Sequence, residues 1–297
     1  MTKTISILLL LTFLIGSAEA EQRVLAIQSI AVAPYEQAIK GFEDAYGAKT
    51  QRLLTSALKK KNILQTIRDS QPDVVLAVGR DALLSAKEIK TIPVVYCMVL
   101  NPRSILSGEK NIRGVSMNLS PAKQLHELSK VLPAAKNIGL LYDPDQTGIF
   151  VQGARQAALK MSVNLTARQV RRSRDVSGLI NEMKGQADIY WMLPDTTVIT
   201  PETIESLLMF SFENNIPILT FSEKYLELGA MLSIGIDAFD IGSQAGEMAR
   251  KISSGINIKD FAHEDARKAL IVLNAEIARK FGITIEQNII RNIKVIR

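Results

Sequence analysis

Aromatic side chains make up only 5% of this sequence, and it holds two histidines, one tryptophan and a single cysteine. Each scarcity excludes something. A lone Cys97 can close no intrachain disulfide, and its place inside an apolar run marks it as a small buried hydrophobe. His126 and His263 lie on polar stretches without the neighbours that a catalytic triad or a metal site requires, so both are expected in solvent. The shortage of aromatics argues against an extensive aromatic cage. It also argues against a nucleic-acid platform, because Lys59-Lys60-Lys61 and Arg171-Arg172-Ser173-Arg174 have no aromatic residues interleaved with them. The net charge of +6 is otherwise spread along the chain, so these clusters read as solvated faces and no nucleic-acid partner is expected.

Enzyme signatures are equally thin. There is no P-loop and no G-x-G-x-x-G, and Asp143 and Asp145 begin like a calcium loop without its later ligands. Gly242-Ser243-Gln244-Ala245-Gly246 looks like a hydrolase elbow only superficially, since its serine stands second and the stretch has helical periodicity. No catalytic residue, cofactor or metal is therefore expected.

The one long apolar run is at the start. Lys3, the stretch Ile5–Ile15 and the small-x-small triplet Ala18-Glu19-Ala20 read as a cleavable export signal over residues 1–20. The run is too short for a bilayer, which disfavours an uncleaved anchor. Glu21 stands where a lipoprotein would carry cysteine, so a periplasmic protein free in solution is expected.

What remains is rich in core material, 47% hydrophobic overall, and alternates short apolar runs with amphipathic stretches. Val24–Ile27, Val74–Val78, Ile92–Val99, Ile138–Tyr142, Ile189–Leu193 and Ile216–Phe221 read as strands buried on both faces of parallel sheets. Helical patterns lie between them, at the spacing of right-handed crossovers. Gln51–Leu54 is too polar to assign. The expected fold is α/β, two Rossmann-like lobes with parallel sheets in a hinged clamshell. Residues 21–117 and 238–262 form the N-terminal lobe and residues 118–237 and 263–297 the C-terminal lobe, with a ligand cleft between them.

Parallel sheets present ligands outside the carboxyl ends of their strands, which selects the candidate residues. The first lobe offers Ser29, Tyr35, Gly79, Arg80 and Asn101; the second offers Tyr142, Gln146, Thr147, Asp195, Thr196, Phe221 and Asp237. Asp195 is expected to meet a ligand ammonium, a helix cap being the alternative. Asp237 follows Gly235, where backbone can approach a ligand closely, and it too can cap a helix. Arg80 can grip a carboxylate with its planar fork, or stand as a solvated rim charge. Tyr35, Tyr142 and Phe221 are stacking candidates, whereas Trp191 belongs to a core strand.

The ordered set Ile92-Pro93-Val94-Val95-Tyr96, Asn101-Pro102, Asn111 to Ser116, Leu132-Pro133, Ile138 to Tyr142, Pro194-Asp195, Ile216-Pro217-Ile218, Gly235-Ile236-Asp237 and Leu273-Asn274 carries a family likeness. It resembles the ABC-transporter substrate-binding proteins of the tryptophan/tyrosine type across nearly the whole mature chain. The resemblance implies a type I periplasmic-binding-protein fold and a monomer. It also implies capture of a small polar or zwitterionic solute, amino acids included, and its delivery to an inner-membrane ABC permease with its ATPase. The chain departs from that pattern at Arg80, at Asn101 and in the loop Asp143–Gly148, all of which bear on which solute is taken. A ligand-presenting protein for a membrane sensor receptor would use the same clamshell.

Overall fold

A computed structural model describes residues 23–57 and 60–297. The expected signal segment lies outside the described residues, as do the first two positions of the helix expected from Leu58, which is seen as Lys60–Ser70. Among the described residues no helix is long and apolar enough to cross a membrane.

Two sheets organise the chain. The first contains β1 (Val24–Gln28), β2 (Thr50–Leu54), β3 (Val74–Val78), β4 (Val94–Val99) and β5 (Ile112–Ser116), in the order β2-β1-β3-β4-β5. All its pairings are parallel. The second contains β6 (Asn137–Tyr142), β7 (Asn164–Gln169), β8 (Ile189–Trp191), β9 (Ile218–Thr220), β10 (Leu232–Ile236), β11 (Ala269–Asn274) and β12 (Lys294–Ile296). Its order is β12-β11-β10-β9-β8-β6-β7, parallel except where β10 meets β11.

Strand periodicity explains why each sheet is covered on both sides. Alternate residues of β1, β3 and β4 (Val24, Ala26, Val74, Leu76, Val95, Cys97) enter one core with the helices Ala33–Tyr46 and Ala238–Ser253. Their neighbours Leu25, Ile27, Val75, Ala77, Val94 and Tyr96 enter the opposite core with Ile63, Ile67 and Leu83. The second sheet divides in the same way, Leu140 and Trp191 on one face, Leu141 and Tyr190 on the other.

The segment after β10 returns to the first sheet. The helix Ala238–Ser253 crosses Ala33–Tyr46 so closely that a Cβ at Gly41 would strike the Phe239 carbonyl, and one at Gly242 the Ala38 carbonyl. This backbone approach accounts for the glycines of the elbow-like stretch. Contact with the first sheet continues beyond the expected boundary at 262/263. His263 stacks on Tyr96, Glu264 bridges to Val115, and Ala266 is buried in the first sheet's core. The chain leaves that core only after Ala266.

Three local features differ from expectation. β2 is an edge strand with exposed or half-exposed side chains, which is why its sequence is polar. The stretch Asp143–Gly148 is not a loop: Asp143 caps the helix Pro144–Lys160 by accepting the Asp145 N–H at 3.0 Å, and Pro144 occupies the first turn. The closing stretch resolves into a short helix Gln287–Ile290 and β12.

Candidate ligand site at the strand ends

On the first sheet, β1 and β3 are paired in register to their last residues, Gln28 against Val78, so Ser29 and Gly79 emerge side by side. The Ser29 N–H donates to the Val78 carbonyl at 3.0 Å and its Oγ accepts from the Ala82 N–H at 2.9 Å. Gly79 has φ +90°, and a Cβ there would lie 2.6 Å from Tyr35 Cε2 and 2.7 Å from Ser29 Oγ. Both backbone conformation and space therefore demand glycine. Tyr35 is half-buried, and desolvation, with smaller effects from Cys97 and Asp81, pushes its phenol above the ordinary value, so it stays a neutral hydrogen-bonding group. These three residues form one cluster. Arg80 beside it is exposed and makes no ion pair among the described residues.

At the end of β4 the ladder shifts register between Tyr96 and Val99, with Met98 at φ +55° and Asn101 at φ +48°. Left-handed non-glycine backbone of this kind is uncommon, and bulges re-aim a strand's end. The Asn101 N–H donates to Asn118 Oδ1 at 3.3 Å, which ties the strand end to the crossover between the sheets.

On the second sheet the ends of β6 and β8 are joined by a reciprocal pair of carboxylates. Asp195, 1% exposed, accepts from the Asp143 N–H and the Thr147 hydroxyl through Oδ2, both at 2.7 Å. Its Oδ1 accepts from the N–H groups of Thr197 and Val198 at 3.0 and 3.2 Å. Asp143 in turn accepts the Thr197 hydroxyl at 2.7 Å. That hydroxyl, then the Asp145 N–H and the Arg171 charge, hold the Asp143 carboxyl below the usual range against the opposing effect of desolvation.

This geometry corrects several expectations. With four donors on a buried carboxylate, Asp195 has no oxygen free for a ligand ammonium; it is a structural cap, and Thr147 is spent on it. Asp237 also acts as a cap, accepting the Asp240 N–H at 3.1 Å and pairing with Lys268 at 2.9 Å; desolvation, the largest single influence, pushes its carboxyl up, and Lys268 with the Asp240 and Phe239 N–H groups together hold it below the usual range. Tyr142 is 7% exposed within the second sheet's core and its hydroxyl accepts from Gln169 at 3.2 Å, so it offers no face for stacking. Phe221 is half-buried, edge-on to Tyr225 at 5.3 Å. Gln146 and Thr196 are exposed at the same edge. His263 is exposed as expected, but its Nδ1 lies 3.1 Å from the Tyr96 hydroxyl.

Sequence reasoning passed over what surrounds the first cluster. A cavity of about 300 Å³ opens at this edge, and Ser29, Thr55, Ser56, Asp81 and Ser85 supply its polar lining. Asp81, in the first turn of the helix Arg80–Ala86, is not among the residues that the strand ends select. A larger cavity, about 430 Å³, lies at the opposite, amino-terminal edge of the same sheet between Lys90, Lys110 and Lys259. Strand-end geometry favours the smaller one as a ligand site.

Two α/β sheets with polar carboxyl edges, joined by returning segments, make a two-lobed binding architecture. The sequence matches the ABC transporter substrate binding protein family over residues 35–295, and the chain belongs to that family. It is 24% identical over 248 residues to a tyrosine-binding protein of Clostridioides difficile, covering 80% of this chain and 71% of that protein. An uncharacterized protein of Rickettsia prowazekii is 23% identical over 228 residues, 76% of this chain and 73% of its own. Among solved structures, the ligand-free, open form of a substrate binding protein with adhesive properties from Clostridium difficile superposes with a TM-score of 0.78. It has 21% identity and covers 93% of this chain and 99% of that one. A Streptococcus pneumonia ABC domain in complex with L-Trp gives a TM-score of 0.60 at 20% identity, over 93% and 100% of the two chains. The fold is thus the type I periplasmic-binding-protein fold expected from the sequence.

Proposed function

We propose that this chain is the exported, periplasmic solute receptor of an ABC importer. As a monomer it captures a small zwitterionic organic molecule between two lobes and hands it to an inner-membrane permease driven by an ATPase. The observation that carries this reading is the convergence of Ser29, Tyr35, Gly79 and Arg80 at the carboxyl edge of one parallel sheet, beside a cavity. In the second lobe, Gln146, Thr196 and Phe221 are the residues whose groups remain available to meet a solute; Thr147, Asp195, Tyr142 and Asp237 hold the scaffold beneath them. Asn101 couples the first lobe's edge to the crossover through Asn118, which suits a hinge.

The lobes divide near residues 117, 237 and 267. At the last of these the Arg267 side chain donates to Asp240 and Glu247 at 3.0–3.1 Å, which anchors the returning segment to the helix Ala238–Ser253. The names of two relatives make tyrosine and tryptophan the first solutes to try. Thermal-shift screening of the mature protein against the amino acids and small amines tests the reading, because a ligand bound only by the native state raises the melting temperature by mass action. A shift with at least one zwitterion is expected; none across the panel would overturn it.

A further inference from the structure

We infer that Asp81, with Arg80 beside it, reads the zwitterionic head of the solute: the Asp81 carboxylate takes the ammonium and the Arg80 guanidinium takes the carboxylate. This rests on the receptor reading above and assigns the chemistry of its first-lobe site. Asp195 is the carboxylate that the strand-end argument selects, and it is fully engaged with four protein donors. Asp81 is the reverse. It is exposed, lines the 300 Å³ cavity, and its side-chain oxygens accept no hydrogen bond and form no ion pair among the described residues. Only its backbone carbonyl is used, by Ser85 Oγ at 2.9 Å. Its neighbour Arg80 is likewise exposed and unpaired, so two opposite charges adjacent in the chain are both left available.

The rest of the lining suits an ammonium ion. Ser56 and Ser85 bring further hydroxyls to the same cavity as Ser29 and Thr55, while Ile30 and Ile63 give it an apolar side. The Ser29 Oγ is fixed by the Ala82 N–H and the Thr55 hydroxyl by the Ser29 carbonyl at 3.1 Å, so the polar walls are preorganised. An ammonium has three donors and no acceptor, and a carboxylate ringed by hydroxyl oxygens complements it.

The test measures binding of four probes to the mature wild-type protein and to D81N and R80Q by titration calorimetry. The probes are L-tyrosine, L-tryptophan, tyramine (which lacks the carboxylate) and 3-(4-hydroxyphenyl)propionate (which lacks the ammonium). D81N is expected to weaken L-tyrosine, L-tryptophan and tyramine by about tenfold or more while sparing the propionate, since a lost charged hydrogen bond is worth roughly 1.5–3 kcal/mol and tenfold is about 1.4. R80Q should do the converse, weakening the amino acids and the propionate while sparing tyramine. If the wild type binds amine-bearing probes and D81N binds them unchanged, the assignment is wrong and the receptor reading stands. If neither these probes nor any amino acid or amine of the thermal-shift panel binds the wild type, the zwitterion reading falls and takes the assignment with it; if another zwitterion of the panel binds, it replaces L-tyrosine in the same test. A role for Asp81 confined to the first turn of its helix would lower the melting temperature slightly and leave every affinity as it was, which also overturns the assignment.

Discussion

The two sheets end in polar clusters of opposite character. At the edge of the second sheet both oxygens of Asp195 and of Asp143 are engaged, through the hydroxyls of Thr147 and Thr197 and backbone N–H groups. At the edge of the first, Ser29, Gly79 and Tyr35 are packed into position, but the side chains of Arg80 and Asp81, beside a cavity, form no ion pair among the described residues. A saturated cluster fixes geometry, and an unsaturated one on a rigid support can receive a guest. Strand-end position alone does not distinguish the two; the count of occupied acceptors does.

The sharpest way to break this contrast is to remove the hub of the saturated side. D195A strips the acceptor from three backbone N–H groups and the Thr147 hydroxyl in a buried place, and should destabilise the protein by about 2–4 kcal/mol in urea unfolding. Next in size is G79A, which forces a side chain into left-handed backbone against Tyr35 and Ser29; about 1–3 kcal/mol is expected, together with loss of solute binding. T147V removes one hydrogen bond to Asp195 and should cost about 1 kcal/mol, measured by the same unfolding, with binding unaffected.

A pH dependence separates the sides further. The Asp143 carboxyl is held below its unfolded-state value, so its contribution to stability is fully present above that value, about pH 3.9 for an aspartate, and is lost as pH falls through the lower folded one. T197V removes the largest cause of the depression. Its loss of stability on acidification should therefore be shallower than the wild type's, as read from melting temperatures between about pH 5 and 2. The smallest effect on stability is predicted for D81N, within about 0.5 kcal/mol of wild type, because the Asp81 side chain makes no hydrogen bond or ion pair among the described residues.

Much of this architecture is legible in the chain itself. Val74–Val78 and Ile189–Trp191 are unbroken apolar runs because parallel strands are buried on both faces. β2 escaped because an edge strand need not be apolar, and the helix start at Pro144 escaped because an aspartate cap followed by proline also looks like a turn. The strand ends identified the right neighbourhood for a site but not the state of each side chain within it. That Asp195 is spoken for depends on Asp143 and Thr147, 52 and 48 residues away, which no local pattern reveals. That Asp81 is free depends equally on what does not approach it. Gly242 and Gly246 illustrate the same limit, since their spacing suggested an elbow and their helix partner explains them.

Which of the two edges reads the solute's charged head is the central question, and one paired experiment decides it: L-tyrosine titrated calorimetrically into D81N and T147V, with the melting temperature of each recorded beforehand. The account predicts that D81N keeps its melting temperature and loses affinity about tenfold or more, while T147V melts earlier and binds as the wild type does. The reverse pattern, affinity lost in T147V and kept in D81N, would contradict it.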